Sequence, residues 1–362
     1  MSKNTEFSFP EYVSSFLKKL INELTEKYGT DSHEVQSITR QYYKQKNEDI
    51  VLPDESDRHY HADNSSEYNG IKLRGVERLY KRCMVIEPTT VCAAHCRYCL
   101  RSHYDRQHLD NSELKNIAQF CGDMSHNPDL RELLITGGDP FMIPTKLSYF
   151  INCIAEFAPN IEIIRIGTRI PMQDPQRINE DLLEALHKRQ GIKFEVSIQI
   201  NSVHEFTDEA SRAIEKLENI GCKIYCQTVL LKGVNDTVED MVELYDKLRY
   251  LWIEPHYIFH CVPIMGMGHL RTSVEKGLEI IRDLDNSGKV SGRAKPHYAL
   301  MTDVGKVMLY EGTIVKNEEN MLLLKTSYDV NDRLKWNPDW EMPSCASIDT
   351  DGKILVWYKN GE

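Results

Sequence analysis

Apolar residues along the chain follow two rhythms. Short β-rich runs alternate with longer stretches: CMVIEP (83–88), LRELLIT (130–136), IEIIRIGT (161–168), FEVSIQI (194–200), CKIYCQTVLL (222–231) and EPHYIFHCV (254–262). The stretches between and after them, 111–124, 146–158, 179–190, 208–221, 238–251 and 273–284, repeat their apolar positions every three to four residues. The first rhythm predicts strands and the second predicts amphipathic helices. Six such units in series give an α/β class, a partial (β/α)6 TIM-like barrel. A full eight-unit barrel would need about two more repeats, and an open doubly wound sheet is the alternative.

The flanks read differently. In 8–29, Tyr12, Phe16, Leu20 and Leu24 recur at spacings of four, predicting a covering helix stopped by Gly29. From Asp31 to about Arg78 the chain is polar and weakly periodic, and its DRHYHADNSSEYNG stretch (57–70) reads as a solvated loop in preference to a metal site. After Lys306 the βα rhythm stops, and the tail ends in SIDTDGKILVWYKNG, a hairpin with Asp351-Gly352 as its turn. The expected division is an N-terminal helical and loop extension (1–78), a barrel (79–309) and a small C-terminal extension (310–362).

Composition narrows the function. A net charge of −11 disfavours a phosphate-backbone surface, so nucleic acid is not an expected partner. No apolar run nears the roughly 18–20 residues that cross a bilayer, and MSKNTEFSFP lacks a signal-peptide core, so the expectation is a cytoplasmic protein without a membrane role. Ten cysteines in that setting read as thiols. Cys83, Cys121, Cys153, Cys222, Cys226, Cys261 and Cys345 are expected to be small core residues.

Three cysteines stand apart. In TTVCAAHCRYCLRS (89–102), directly after the first barrel strand, Cys92, Cys96 and Cys99 are spaced C-x3-C-x2-C. A loop after a barrel strand opens into the mouth where parallel barrels carry their sites. Three thiolates can hold three irons of a [4Fe–4S] cubane and leave the fourth open, whereas a closed site uses four ligands. The competing reading is zinc, with His95 or His103 as the fourth ligand, but no second CxxC knuckle accompanies it. At the end of the second strand, Gly137 and Gly138 in ITGGDP (135–140) allow close approach of backbone to a ligand, or a plain βα turn, and Asp139 can accept from an ammonium. The third strand runs into RIGTRIPMQDPQRIN (165–179), which carries Arg165, Arg169 and Arg177.

The cysteine spacing, Tyr98 before the third cysteine and the position after strand one resemble the radical S-adenosylmethionine (SAM) superfamily. The RIGTRIP…PQRI run, QTVLLKGVND (227–236), PHYIFHC (255–261), GMGHLRTSVEKGLEII (266–281) and SGRAKP (291–296), in that order, resemble the lysine 2,3-aminomutase family over about 79–306. The resemblance implies an enzyme, an isomerase, in which the open iron chelates SAM, one electron cleaves it to a 5′-deoxyadenosyl radical, and pyridoxal phosphate (PLP) carries a migrating amino group. It also implies a small amino-acid-like substrate, an external electron donor such as flavodoxin or ferredoxin, and leaves room for a homo-oligomer.

Carried over residue by residue, the resemblance puts SAM near Tyr98, Gly137, Gly138, Asp139 and Arg169, with Gln199 where the family has a histidine near the adenine. PLP would sit on Lys306 in a stretch with one glycine, Gly305, where the family has several. Arg82, if one extra residue is accepted, and Gln227 would lie near its phosphate, and Phe259 replaces a tyrosine that packs on its ring. Arg101 would take the substrate carboxylate, and His269 and Arg271 fall in the matching GxGHxR segment. The two aspartates that grip lysine's distal ammonium are Val262 and Met301 here, and an unpaired buried ammonium would be costly, so a different amino acid is expected. A PLP-independent radical SAM enzyme on this scaffold, an epimerase, a dehydratase or another hydrogen-abstracting enzyme, is the second reading. A non-catalytic iron–sulfur or zinc protein is the third.

Overall fold

The structure is a computed structural model that describes residues 9–46, 48, 66–78, 80–102, 105–187, 189 and 191–361. His59 and His61 of the polar stretch, and His103, lie outside the described residues. Nine strands form the main sheet: β1 (Val76–Glu77), β2 (Cys83–Thr89), β3 (Glu132–Gly137), β4 (Ile163–Thr168), β5 (Lys193–Gln199), β6 (Lys223–Leu230), β7 (Glu254–His260), β8 (His297–Thr302) and β9 (Gly305–Met308). Their order across the sheet is their order in the chain, with β1 and β9 at the edges. A doubly wound sheet reverses direction at a switch point, so this uninterrupted progression excludes it. The sheet is a curled, incomplete parallel barrel.

Seven strands, β2 to β8, run parallel, one more than the apolar rhythm predicts. The extra one, β8, is HYALMT, a six-residue run behind a Gly- and Pro-bearing loop that offers too little periodicity to declare itself. β1 and β9 pair antiparallel on β2 and β8. Helices α3 (Asn111–Gly122), α4 (Pro144–Phe157), α5 (Ile170–Gln173), α6 (Glu180–Ala185), α7 (Asp208–Asn219), α8 (Val238–Tyr250) and α9 (Val274–Asn286) fill the connections, numbered after two N-terminal helices, α1 (Ser15–Tyr28) and α2 (His33–Tyr42). Period-two alternation divides each strand. On β6, Ile224, Cys226, Thr228 and Leu230 are buried toward the helices, Thr228 meeting Tyr245 of α8, while Tyr225, Gln227 and Val229 are half-buried on the opposite, lumen face.

The flanks correct two expectations. α1 begins at Ser15, not residue 8, because Ser14 caps it by accepting from the Leu17 N–H. Its buried stripe is Leu17, Leu20 and Ile21, rotated from the expected one, and Tyr12 is exposed. The segment after Asp31 holds α2, capped by Ser32, with Val35, Ile38 and Tyr42 buried at helical spacing. Polar Ser37 and Gln41 share that buried face, which is why the stretch reads as aperiodic. At the other end, β10 (Ile314–Glu318), β11 (Met321–Asp329), β12 (Ala346–Ile348) and β13 (Lys353–Lys359) form an antiparallel sheet, with α10 (Val330–Trp336) after β11. The Asp349–Gly352 turn joins β12 to β13 as expected. Leu322, Leu324, Ile354, Val356 and Tyr358 belong to the same core as the barrel.

Candidate active site

The cysteine loop leaves β2 at the C-terminal mouth and is held from three sides. From below comes the Gly-Gly turn: Gly138 N–H donates to Thr89 O (2.6 Å) and Asp139 N–H to Val91 O (2.7 Å). A Cβ on Gly138 would stand 2.4 Å from Val91 O and 2.5 Å from the Thr90 carbonyl carbon. Gly137, at φ +110°, would press on Thr89 O in the same way. In this structure the two glycines let the loop's own backbone dock on β3. From the N-terminal side, His95 N–H donates to Tyr12 O, Arg97 N–H to Gln41 O, and the buried Arg97 guanidinium binds Glu48, Phe9 O and Pro10 O. Ala94 and Cys96 pack on Val13, Leu17, Leu20, Ile21, Ile38 and Tyr42 of the α1–α2 pair.

The third side is a buried polar network around Arg169, the residue that follows β4. Its guanidinium donates to Cys96 Sγ (3.1 Å), Tyr98 Oη, Gln41 Oε1 (3.1 Å), Glu205 and Gln199 O (3.3 Å), while its own N–H meets Asp139. Burial alone would lower the Arg169 pKa, but neighbouring Tyr42, Tyr98, Cys96 and Glu205 hold it above its ordinary value. Tyr98 Oη also takes Asn201 Nδ2 (2.6 Å) and faces Gln41. Asp139 is buried, its two oxygens accepting from Thr168 Oγ1, Arg169 N–H and Phe141 N–H. The polar atoms of Tyr98, Asp139 and Arg169 thus have protein partners in this structure, and all three residues adjoin the cysteine loop.

The three thiols are mutually close. Burial first, then Cys96, pushes the Cys99 thiol up to about 11, and burial and Cys99 raise Cys92 further. Such thiols stay protonated unless a metal takes them as thiolates. Among the described residues no three His, Cys, Asp or Glu side chains converge as a mononuclear metal site requires. A cubane takes one thiolate per iron, so its ligands need not share a point. His95 ties the loop to the N-terminal segment: its Nδ1–H donates to Pro10 O at 2.8 Å and its ring stacks on Phe9.

The remaining candidates line the lumen. Gln199, Gln227 and Tyr257 are register neighbours across β5, β6 and β7, and Lys306 Nζ lies 3.9 Å from the Tyr257 ring centre. Lys306 is set by Gly305, at φ +119° with Tyr328 packed where a Cβ would go, and by Tyr328 Oη donating to Lys306 O (2.9 Å). Lys306 also faces Tyr80 and lies near Cys83, whose thiol burial pushes up to about 11. Arg82 is exposed at the start of β2, next to Cys83 and hence at the same end of the lumen as Lys306. Arg165 is half-buried between Glu195 (2.9 Å) and Glu132 (3.8 Å). Arg101 pairs through Nε with Glu87, a buried carboxylate that the sequence reading missed because it sits within an apolar strand. Val262 and Met301 join an apolar wall with Tyr98, Leu100, Val229 and Ile264. Arg271 is a structural tie, donating to Cys261 O, Lys359 O and Asn360 O, and His269 is held down to about 4 by burial and by Arg40 and Arg97.

A half-barrel with three loop thiols at its mouth defines a class, and residues 86–248 match the model of the radical SAM superfamily. The chain is 31% identical to L-lysine 2,3-aminomutase of Clostridium subterminale over 310 residues, 83% of this chain and 72% of that one. It is also 31% identical to L-lysine 2,3-aminomutase of Acetoanaerobium sticklandii, over 83% of this chain and 72% of that one. Similarity extends to glutamate 2,3-aminomutase of Clostridioides difficile (strain 630), 32% identical over 69% of this chain and 59% of that one. The chain belongs to the lysine 2,3-aminomutase family of radical SAM enzymes, an isomerase class whose members use a [4Fe–4S] cluster and SAM.

Proposed function

We propose that the enzyme moves the amino group of an α-amino acid other than lysine from C2 to C3, with Cys92, Cys96 and Cys99 as cluster ligands and PLP on Lys306. The observation that carries this is the row Gln199–Gln227–Tyr257, which runs across three adjacent strands and ends with the Tyr257 ring against the Lys306 amine. The residues suit PLP: a lysine amine against the Tyr257 and Tyr80 rings, with Gln227 in register beside Tyr257 and Arg82 next to Cys83 as a cation for a phosphate. When bound, the cluster and SAM supply a hydrogen-abstracting radical, and PLP supplies a carrier for the nitrogen.

The chain's own groups do the rest. Lys306 would hold PLP through its side-chain amine. Arg101, oriented by Glu87, offers a guanidinium for the substrate carboxylate. Val262 and Met301, at the positions where lysine-specific members carry aspartates, belong to an apolar cluster with Leu100 and Ile264, which supports a substrate with an uncharged side chain. The α1–α2 pair covers the cysteine loop, as an oxygen-sensitive centre needs. No helix among the described residues is long and apolar enough to cross a membrane, and the setting proposed is cytoplasmic, with a flavodoxin- or ferredoxin-type donor.

The test is to supply dithionite, SAM and PLP with a panel of amino acids and to look for β-amino acid products. Borohydride treatment of PLP-loaded protein should leave a pyridoxyl group on the Lys306 peptide. The second reading, a PLP-independent enzyme on this scaffold, draws on the single glycine before Lys306 and the exposed position of Arg82. It is preferred if borohydride labels no lysine while SAM is still cleaved.

A further inference from the structure

Cys96 differs from its two companions in what surrounds its sulfur. Arg169 donates to Cys96 Sγ at 3.1 Å and Gln173 Nε2 donates at 3.3 Å, whereas among the described residues no side chain donates to the sulfur of Cys92 or Cys99. Both donors are built in. Gln173 is 1% exposed at the end of α5, with its carbonyl taken by Ser14, the cap of α1. Arg169 is 6% exposed and fixed by Glu205 and Gln41. Glu205 is in turn locked, its Oε1 accepting from Asn201 N–H (2.7 Å) and Ser202 N–H (2.9 Å). One end of this construction lies in α2, which the family match to 86–248 does not include.

We propose that Arg169 and Gln173 are positioning residues that set the reduction potential of the cluster through the Cys96 sulfur, with Glu205 limiting how far Arg169 can raise it. The physical basis is general. Reducing a cluster adds one electron, whose charge is shared with the ligand sulfurs, and N–H donors at a sulfur stabilise the reduced state and raise the potential. A guanidinium stabilises it more than an amide does, and a buried carboxylate on that guanidinium offsets part of the gain. The wild-type arrangement is thus a cation and an amide at one corner, moderated by one acid. The proposal rests on the assignment of the three cysteines as ligands.

Two substitutions move the potential in opposite directions. Gln173→Leu removes a donor of similar volume and lowers the potential. Glu205→Gln keeps the side-chain volume, removes the counter-charge on Arg169 and raises it. The expected change in the equilibrium constant for one-electron reduction is about threefold for the first and about tenfold for the second, the latter equal to ~59 mV. The experiment is an anaerobic redox titration of reconstituted protein, following the reduced-cluster signal by electron paramagnetic resonance, with iron and sulfide assayed in each sample. Opposite shifts at wild-type iron content support the proposal. Unchanged potentials, or shifts of the same sign, at full iron content overturn it. If one variant loses its cluster, the sign found for the other decides. If the wild-type protein takes up no iron and sulfide, the ligand assignment itself fails, which is a separate outcome.

Discussion

Gly138→Ala is a sharp probe of how the cysteine loop is held. The added methyl carbon would lie 2.4 Å from Val91 O, 2.5 Å from Thr90 C and 2.6 Å from Val91 N. All three are backbone, so no side chain can swing aside, and the strand below is fixed in register with β2 and β4. Relief requires moving the loop outward by roughly an ångström, which breaks the bonds from Gly138 and Asp139 N–H to Thr89 O and Val91 O. Overpacking costs about 1–3 kcal/mol and two strained hydrogen bonds add about 1 kcal/mol each, so the upper half of the range is expected. The displaced atoms adjoin Cys92, so the penalty falls mainly on cluster binding. At 1.4 kcal/mol per decade, about 2–3 kcal/mol is a loss of roughly 30-fold to 140-fold in apparent cluster retention. The assay is iron and sulfide content after anaerobic reconstitution and a chelator challenge, beside a thermal melt of the apo protein. Full iron retention with an unchanged melt would refute the docking role of Gly138.

Other predictions follow from the same contacts. Cys96→Ala should lose the cluster, measured as iron below about one-tenth of wild type and no SAM cleavage, because two thiolates leave a cubane under-ligated. His260 is fully buried, with Nε2–H donating to Thr272 O and Nδ1 accepting from Tyr358 Oη, and burial and Arg271 push its pKa from 6.5 to about 3. Its folded pKa is depressed, so the unfolded chain binds the proton first. Stability is full above about pH 6.5 and falls toward pH 3 by up to about 1.4 kcal/mol per pH unit, a slope that urea melts should show reduced in His260→Gln. Tyr358→Phe should cost about 1–3 kcal/mol by leaving Nδ1 buried and unsatisfied, read from the same melts. Val262→Asp combined with Met301→Asp should shift kcat/KM toward lysine by on the order of tenfold, since each restored charge contact contributes about 1.5–3 kcal/mol before desolvation is subtracted.

The sequence made the barrel legible wherever apolar and polar positions alternated cleanly. The six strands from CMVIEP to EPHYIFHCV and the hairpin at Asp351-Gly352 are where their periods place them. β8 escaped because its six residues are too short a run to show a period, and α2 because burial there is shared with polar groups: Gln41 and Ser37 are buried through hydrogen bonds to Tyr98, Glu205 and Ser202, which a hydrophobic pattern cannot register. The cysteines were legible as a motif, but the loop's supports were not. Arg169, Asp139 and Tyr98 carry polar atoms that a sequence reading assigns to ligands, and only their mutual distances reveal that they bind one another. Glu87 and Glu205 were invisible for the same reason, since a buried acid is recognised by its partner. Tyr257, Tyr80 and Tyr328 around Lys306 come from separate strands and loops, and no spacing along the chain connects them.

The most direct measurement is single-turnover cleavage of SAM by dithionite-reduced protein after anaerobic reconstitution. The account predicts 5′-deoxyadenosine formed in proportion to the bound cluster in the wild type and none in Cys96→Ala. A protein that holds stoichiometric zinc at the cysteine loop, takes up no iron and sulfide, and releases no 5′-deoxyadenosine would contradict it.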